Sequence, residues 1–147
     1  MTINPLRSLL AVLVGIGLIS LVVEPLEFTL VNAAASGPIS DMAGYFAVRN
    51  QPGILTAKLI YTSAAALLGG YVAAKVAGRA EMAHVGFAAA VQTAALIWGA
   101  TTSEYATFTP QWTWIALIML TAPAMLAGGA VRARAVRVES PSREVRS

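Results

Sequence analysis

The chain contains no cysteine and only one histidine. The absence of cysteine excludes disulfides, thiolate metal sites and cysteine nucleophiles. A single histidine excludes a multi-histidine metal site within one chain. No hydrolase, nucleotide-binding or metalloprotease motif occurs in the sequence either. We therefore expect no bound metal, no other cofactor and no enzymatic activity.

Charged residues are also scarce, at 12% of the 147 residues, against roughly a quarter in soluble domains. Four apolar stretches dominate instead, and a helix needs about 20 such residues to cross roughly 30 Å of hydrocarbon. The predicted spans are residues 9–23, 54–76, 83–100 and 112–131. The predicted fold class is therefore all-α, an integral membrane four-helix bundle in which residues 1–147 form one transmembrane domain.

Two prolines affect these spans. The first helix can continue past Pro25, through Phe28 to Val31, because proline is tolerated where neighbours satisfy the freed carbonyl. Pro123 predicts a kink in the fourth span. A cleaved signal peptide is the alternative reading of the first span. The alanines at 33–35 lie too far beyond Val23 for a normal cleavage site, so we expect the segment to be retained.

Lysine and arginine lie unevenly on the two sides of the spans. Eight of the ten fall on one side, and these are Arg7, Lys75, Arg79, Arg132, Arg134, Arg137, Arg143 and Arg146. The other two, Arg49 and Lys58, fall on the opposite side with the three tryptophans. The positive-inside rule then predicts that both termini are cytoplasmic and that the tryptophans form an interfacial belt. This clustering also explains the net charge of +3 without a nucleic-acid partner.

The longest connection, residues 25–51, is predicted to contain a short helix. Ser40 can cap this helix, which would run through Asn50 and lie on the membrane surface. Two readings remain open, an ordered loop that covers the helix ends and a functional lid. The polar tail at 139–147 is expected to be disordered.

Small residues recur every four positions along the second span, at Thr62, Ala66, Gly70, Ala74 and Gly78. Such a stripe predicts close approach of another helix. Gly17 in the first span and Gly128 in the fourth are expected to pack in the same way. The segments around Gly69-Gly70 and Gly128-Gly129 also resemble each other. This similarity indicates either a parallel repeat of helical hairpins or a chance recurrence of small residues.

Few polar side chains lie within the spans. Glu24 and Lys58 are predicted at similar depth near the outer boundary, where they form an ion pair or share a hydrated site. That pair either joins two helices or serves as a ligand or proton site. Gln92 lies nearer the centre of the bilayer and predicts a hydrogen bond between helices. His84, beside the third span, is expected to be solvated.

The stretch from Tyr61 to Gly86, YTSAAALLGGYVAAKVAGRAEMAHVG, resembles a diffuse group of small four-span bacterial membrane proteins. In that group a glycine-rich second helix ends in a basic residue, and a histidine opens the third helix. The segment from Pro110 to Arg132 is also similar, with an aromatic pair, an apolar run, a proline and a glycine pair. The resemblance implies this architecture and a bacterial cytoplasmic membrane, and it implies no activity.

The sequence thus favours a non-enzymatic accessory or structural subunit of a larger membrane complex. Its expected partners are the lipid bilayer and either other protein subunits or further copies of the chain. The alternative is a small oligomeric transporter or channel that uses Glu24 and Lys58. Small multidrug transporters have a similar size and depend on a glutamate in the first helix. In that family the glutamate lies in mid-membrane, whereas Glu24 lies at the outer end.

Overall fold

The protein is all-helical in a computed structural model that describes residues 5–139. The helices are α1 (Pro5–Ala34), α2 (Met42–Arg49), α3 (Pro52–Ala77), α4 (Glu81–Thr102) and α5 (Gln111–Glu139), with a 3-10 turn at Ala106–Phe108. Four of them, all except α2, are long and apolar enough to cross a membrane. The prediction of a helical bundle with four such helices is therefore confirmed. The tail predicted to be disordered comprises residues 139–147. Glu139 is the last residue of α5, and the rest of the tail lies outside the described residues.

Each long helix is longer than its predicted span, and α1 is extended most. It continues without interruption past Pro25 to Ala34. Proline removes one backbone donor from the helix, and the Thr29 hydroxyl donates to the Pro25 carbonyl at 2.7 Å one turn later. The extra turns matter because they carry Glu27, which would have been placed in a loop had the helix ended at Val23.

The central helix of the bundle is α3. It packs against α1 on one side and α5 on the other, and α4 packs mainly against α5 while also contacting α3 and α1. Short connections make α3, α4 and α5 alternate in direction, so α3 and α5 run parallel. We call the end of the bundle that carries α2 and the 3-10 turn the α2 end, and the other the opposite end.

Glycines allow α3 to approach both neighbours closely. A Cβ on Gly70 would overlap the backbone of Met125 in α5, and a Cβ on Gly128 would overlap the carbonyl of Leu67. On the other side, a Cβ on Gly69 would lie 2.6 Å from the carbonyl oxygen of Gly15 in α1. The two adjacent glycines of α3 therefore serve two different helices, since successive residues point about 100° apart on a helix.

The stripe predicted on the second span faces α5. Thr62, Ala66, Gly70 and Ala74 are all buried, whereas Gly78 is exposed and ends α3. Gly78 has a φ of 65°, in the left-handed region that favours glycine at helix ends. Within the chain Gly17 makes no such contact, because no heavy atom lies within 4 Å of where its Cβ would stand. Gly15 makes the contact instead, since it lies on the buried side of α1.

The segments around Gly69-Gly70 and Gly128-Gly129 lie side by side. Gly70 of α3 lies against α5, and Gly128 of α5 lies against α3. Gly129 packs against Val85 of α4. The matching sequences therefore form one close contact between parallel helices. The other two long helices, α1 and α4, also contact each other, and both readings of the sequence similarity stay open.

The short helix α2 begins one residue later than predicted. Its N-cap is Asp41, whose carboxylate accepts a hydrogen bond from the Gly44 backbone at 2.7 Å. Aspartate is a strong N-cap, and it takes the role that we assigned to Ser40. The helix buries two side chains, Phe46 and Arg49, and so it is attached to the ends of the bundle.

Candidate functional site: a buried ion-pair cluster at the α2 end

A single carboxylate lies between two cations where α1, α2 and α3 meet. Glu27 Oε1 accepts a hydrogen bond from Arg49 Nε at 2.6 Å, and Glu27 Oε2 accepts one from Lys58 Nζ. The three residues are 8%, 7% and 8% exposed, respectively. Charges at this depth are costly unless they are paired, and here each cation has the carboxylate as its partner.

Glu27 reaches this position because it lies on the buried face of α1. Ala11, Gly15, Ile19, Val23, Glu27 and Val31 follow one another every four residues, and all are buried. Glu24 lies off this line and is exposed. The predicted Glu24–Lys58 pair was therefore wrong in its carboxylate. Lys58 does have a partner on α1, but that partner is Glu27, one turn further along the helix than Glu24.

Arg49 extends the cluster to a fourth segment. Its Nη1 donates to the Thr109 hydroxyl at 2.7 Å, so the guanidinium bridges α1 and the connection that precedes α5. The guanidinium also lies 5.1 Å from the centre of the Phe46 ring, a geometry that favours a cation–π interaction. Arginine suits this position because its planar group can donate in several fixed directions at once.

Aromatic rings cover the cluster from the α2 end. Phe46 stacks on Phe108 with ring centres 5.3 Å apart and on Tyr105 with centres 6.0 Å apart. Asn50 adds a hydrogen bond from its side-chain amide to the Phe108 carbonyl. Together these contacts attach α2 to the 3-10 turn and close the ion-pair cluster on that side.

Two tyrosines lie beside the carboxylate. The Tyr61 hydroxyl donates to Glu27 Oε2 at 3.3 Å. Burial raises the pKa of Tyr45 above its ordinary value, and the negative charge of Glu27 raises it further. Glu24 contributes to the same effect on Tyr45, so it acts on the cluster from its exposed rim. With Glu24 included, the group holds two carboxylates and two cations.

Three hydroxyls between α3 and α5 lack partners. Thr62, Thr113 and Thr121 are 7%, 0% and 2% exposed, and their hydroxyl oxygens have no hydrogen-bond partner among the described residues. Thr62 follows Lys58 by one turn on α3, and Thr113 lies in the first turn of α5, four residues after Thr109. The hydroxyls therefore continue from the ion-pair cluster into the interior.

The structure does not bring the remaining candidate to this site. Gln92 is half-buried on α4, and the residues from 5 to 139 offer it no hydrogen bond of the predicted kind. His84 is half-buried at the opposite end, where its Nε2 lies 2.9 Å from the Ser8 hydroxyl. It therefore joins α4 to α1, whereas we expected a solvated side chain.

Sequence reasoning missed Glu27 and Arg49. The four-residue spacing of small and apolar residues from Gly15 to Val31 was a usable signal for Glu27, because it places Glu27 on the same face of α1. Arg49 was counted only as a basic residue of a loop. No local pattern marks it as buried, because its partners Glu27 and Thr109 are 22 and 60 residues away.

The arrangement joins four segments, α1, α2, α3 and the connection before α5, through one buried carboxylate and the guanidinium bound to it. Within residues 5–139, no group of three histidine, cysteine, aspartate or glutamate side chains is placed to hold a metal ion. No protein family model, curated protein or solved structure matches this chain.

Proposed function

We propose that the chain is a non-enzymatic accessory subunit of a larger membrane complex. In this proposal it lies in a bacterial cytoplasmic membrane with both termini in the cytoplasm and the α2 end outside. The observation that carries the proposal is the use of its buried charges. Arg49 and Lys58 both pair with Glu27 and so join α1, α2 and α3, as expected of a group that fixes the shape of a scaffold.

The close contact of α3 and α5 also supports a scaffold. At Gly70 and Gly128 the two backbones approach each other with no side chain between them. Such contacts stabilise helix association where lipid provides no hydrophobic gain. These contacts fix the positions of α3 and α5 relative to each other. A partner subunit would therefore meet an outer surface of constant shape.

The surface of α4 is where we expect that partner to bind. Its most apolar window is 17% buried within the chain, against 39% for α3. Gly86, Ala90 and Ala94 follow one another every four residues along it, and no heavy atom lies within 4 Å of where a Gly86 Cβ would stand. Small residues allow a helix from another chain to approach closely. Contact with lipid alone would not require small residues at these positions.

Site-specific photo-cross-linking in native membranes tests this proposal. A photoreactive side chain at Ala90 should form a cross-link to one protein in near-stoichiometric yield. The same side chain at Leu21, which is 74% exposed on α1, is the matched control and should react with lipid. Ala90→Leu should reduce the yield of the complex, and Leu21→Ile should not. Lipid adducts alone from both positions would contradict the subunit proposal, and a cross-linked dimer of the chain would favour the alternative below.

The alternative function is transport by a homo-oligomer. The observation that favours it is the carboxylate of Glu27, which is shared by Arg49, Lys58 and Tyr61 and can exchange one partner for a substrate or a proton. Glu27 replaces Glu24 in this alternative. Flux of a cationic substrate into vesicles that depends on Glu27, and that Glu27→Gln abolishes without loss of the folded protein, would support transport over the subunit proposal.

A further inference from the structure

The contact between α3 and α5 contains an unusual group of threonines. Six other serine and threonine hydroxyls in the helices donate to the carbonyl four residues earlier. Such bonds are made by Thr29, Thr56, Ser63, Thr93, Thr101 and Thr102, at 2.7 to 2.9 Å. This is the usual local bond for these residues in helices. Thr62, Thr113 and Thr121 do not make it and are buried between helices without a described partner.

These hydroxyls occupy one part of the contact. Asn50 meets Phe108 at the α2 end, and Gly70 meets Met125 further along. Because α3 and α5 are parallel, the segments between these two contacts lie side by side. Thr62 lies in the α3 segment, and Thr113 and Thr121 lie in the α5 segment. We call the space between these two segments, bounded by Asn50 and by Gly70, the threonine seam.

Buried polar groups in folded proteins are hydrogen-bonded to protein or to ordered water. We propose that the threonine seam is a binding site for water molecules, held by the hydroxyls of Thr62, Thr113 and Thr121. A hydroxyl has one donor and two acceptor positions, so these groups can each hold water. Water suits the seam better than a cation does, because Lys58 and Arg49 are positively charged next to it.

The seam begins at the ion-pair cluster and ends at the glycines. Lys58 precedes Thr62 by one turn of α3, and Arg49 donates to Thr109, which lies four residues before Thr113 in the first turn of α5. At the other end, the backbones at Gly70 and Met125 are too close for anything to fit between them. The bound water therefore hydrates the ion-pair cluster from inside the bundle, and it stops at the glycine contact. The inference does not depend on the proposed function.

Radiolytic hydroxyl labelling of the full chain in nanodiscs tests the inference. Radicals formed from bound water label the side chains next to it. Leu117 is 4% exposed and lies on α5 between Thr113 and Thr121, whereas Met125 is 0% exposed and lies at the glycine contact. We expect Leu117 to be labelled and Met125 to remain unlabelled, although methionine is intrinsically more reactive. Labelling of neither residue would show that the seam is dry and would overturn the inference.

Isosteric variants supply the second arm of the test. Thr121→Val and Thr62→Val keep the side-chain shape and remove the hydroxyl, so each should reduce Leu117 labelling several-fold. Thr93→Val is the matched control, because the Thr93 hydroxyl bonds to the Ala89 carbonyl of its own helix at 2.8 Å. It should leave Leu117 labelling unchanged. An equal effect of all three variants, or an effect of none, would contradict a water site at these hydroxyls.

Discussion

Gly70 of α3 lies against Met125 of α5 so closely that a single added methyl group would overlap the Met125 carbonyl. The neighbouring Gly69 makes a similar approach to Gly15 of α1. These two contacts place α3 at the centre of the bundle. They also fix how far each helix is shifted along its neighbours. As a result Lys58 meets Glu27 of α1, and Thr62 lies on the side of α3 that faces α5.

Bulk at Gly70 should therefore destabilise the protein. We expect Gly70→Leu to lower the free energy of unfolding in detergent by at least about 1–3 kcal/mol, the usual cost of overpacking a close contact. Leu68→Ile is the control, because Leu68 is 46% exposed, and its effect should be small. Equal thermal stability of the two variants would show that the α3–α5 contact is loose.

A glycine that makes no contact should behave in the opposite way. Gly17 has open space where its Cβ would stand, and alanine is the better helix former by up to about 1 kcal/mol. Gly17→Ala should therefore leave the melting temperature unchanged or raise it. A fall comparable to that of Gly70→Leu would return Gly17 to the packing role that the sequence predicted.

The fold was more predictable than the site, for a physical reason. Apolar length is a local signal, so four long helices and the approximate ends of α3 and α4 followed from sequence. Glu27 and Arg49 become recognisable as site residues only through a contact between residues far apart in the chain. The error at Glu24 came from taking the face of α1 that carries Gly17 and Glu24 as its packing face, whereas the buried face carries Gly15, Val23 and Glu27.

Arg49 should not be replaceable by lysine. Arginine donates from Nε to Glu27 and from Nη1 to Thr109, and a lysine ammonium cannot reach both acceptors from one position with the same planar geometry. We expect Arg49→Lys to increase hydrogen exchange at the backbone amides of α2 and of the Ala106–Phe108 turn. Exchange in α4 is the internal control and should not change. Unaltered protection of α2 would show that the guanidinium does not hold this helix in place.

The proposed topology can be checked with introduced cysteines, since the chain has none of its own. Single cysteines at Thr2 and Ser147 should resist an impermeant thiol reagent in intact cells and react after lysis. A cysteine at Ser36, in the connection between α1 and α2, should react in intact cells. Reaction of Thr2→Cys or Ser147→Cys before lysis would contradict the orientation with both termini inside.

The ion-pair cluster requires that Glu27 be the buried partner of Lys58. A double-mutant cycle in detergent measures this directly, with Glu27→Gln, Lys58→Met and the double variant, compared with the same cycle at Glu24. Removing one member of a buried ion pair leaves the other charge uncompensated, at a cost of about 3–5 kcal/mol. We predict a coupling energy of about 1–3 kcal/mol between Glu27 and Lys58, and a smaller one between the exposed Glu24 and Lys58. A coupling near zero at Glu27, or a larger one at Glu24, would contradict the ion-pair cluster.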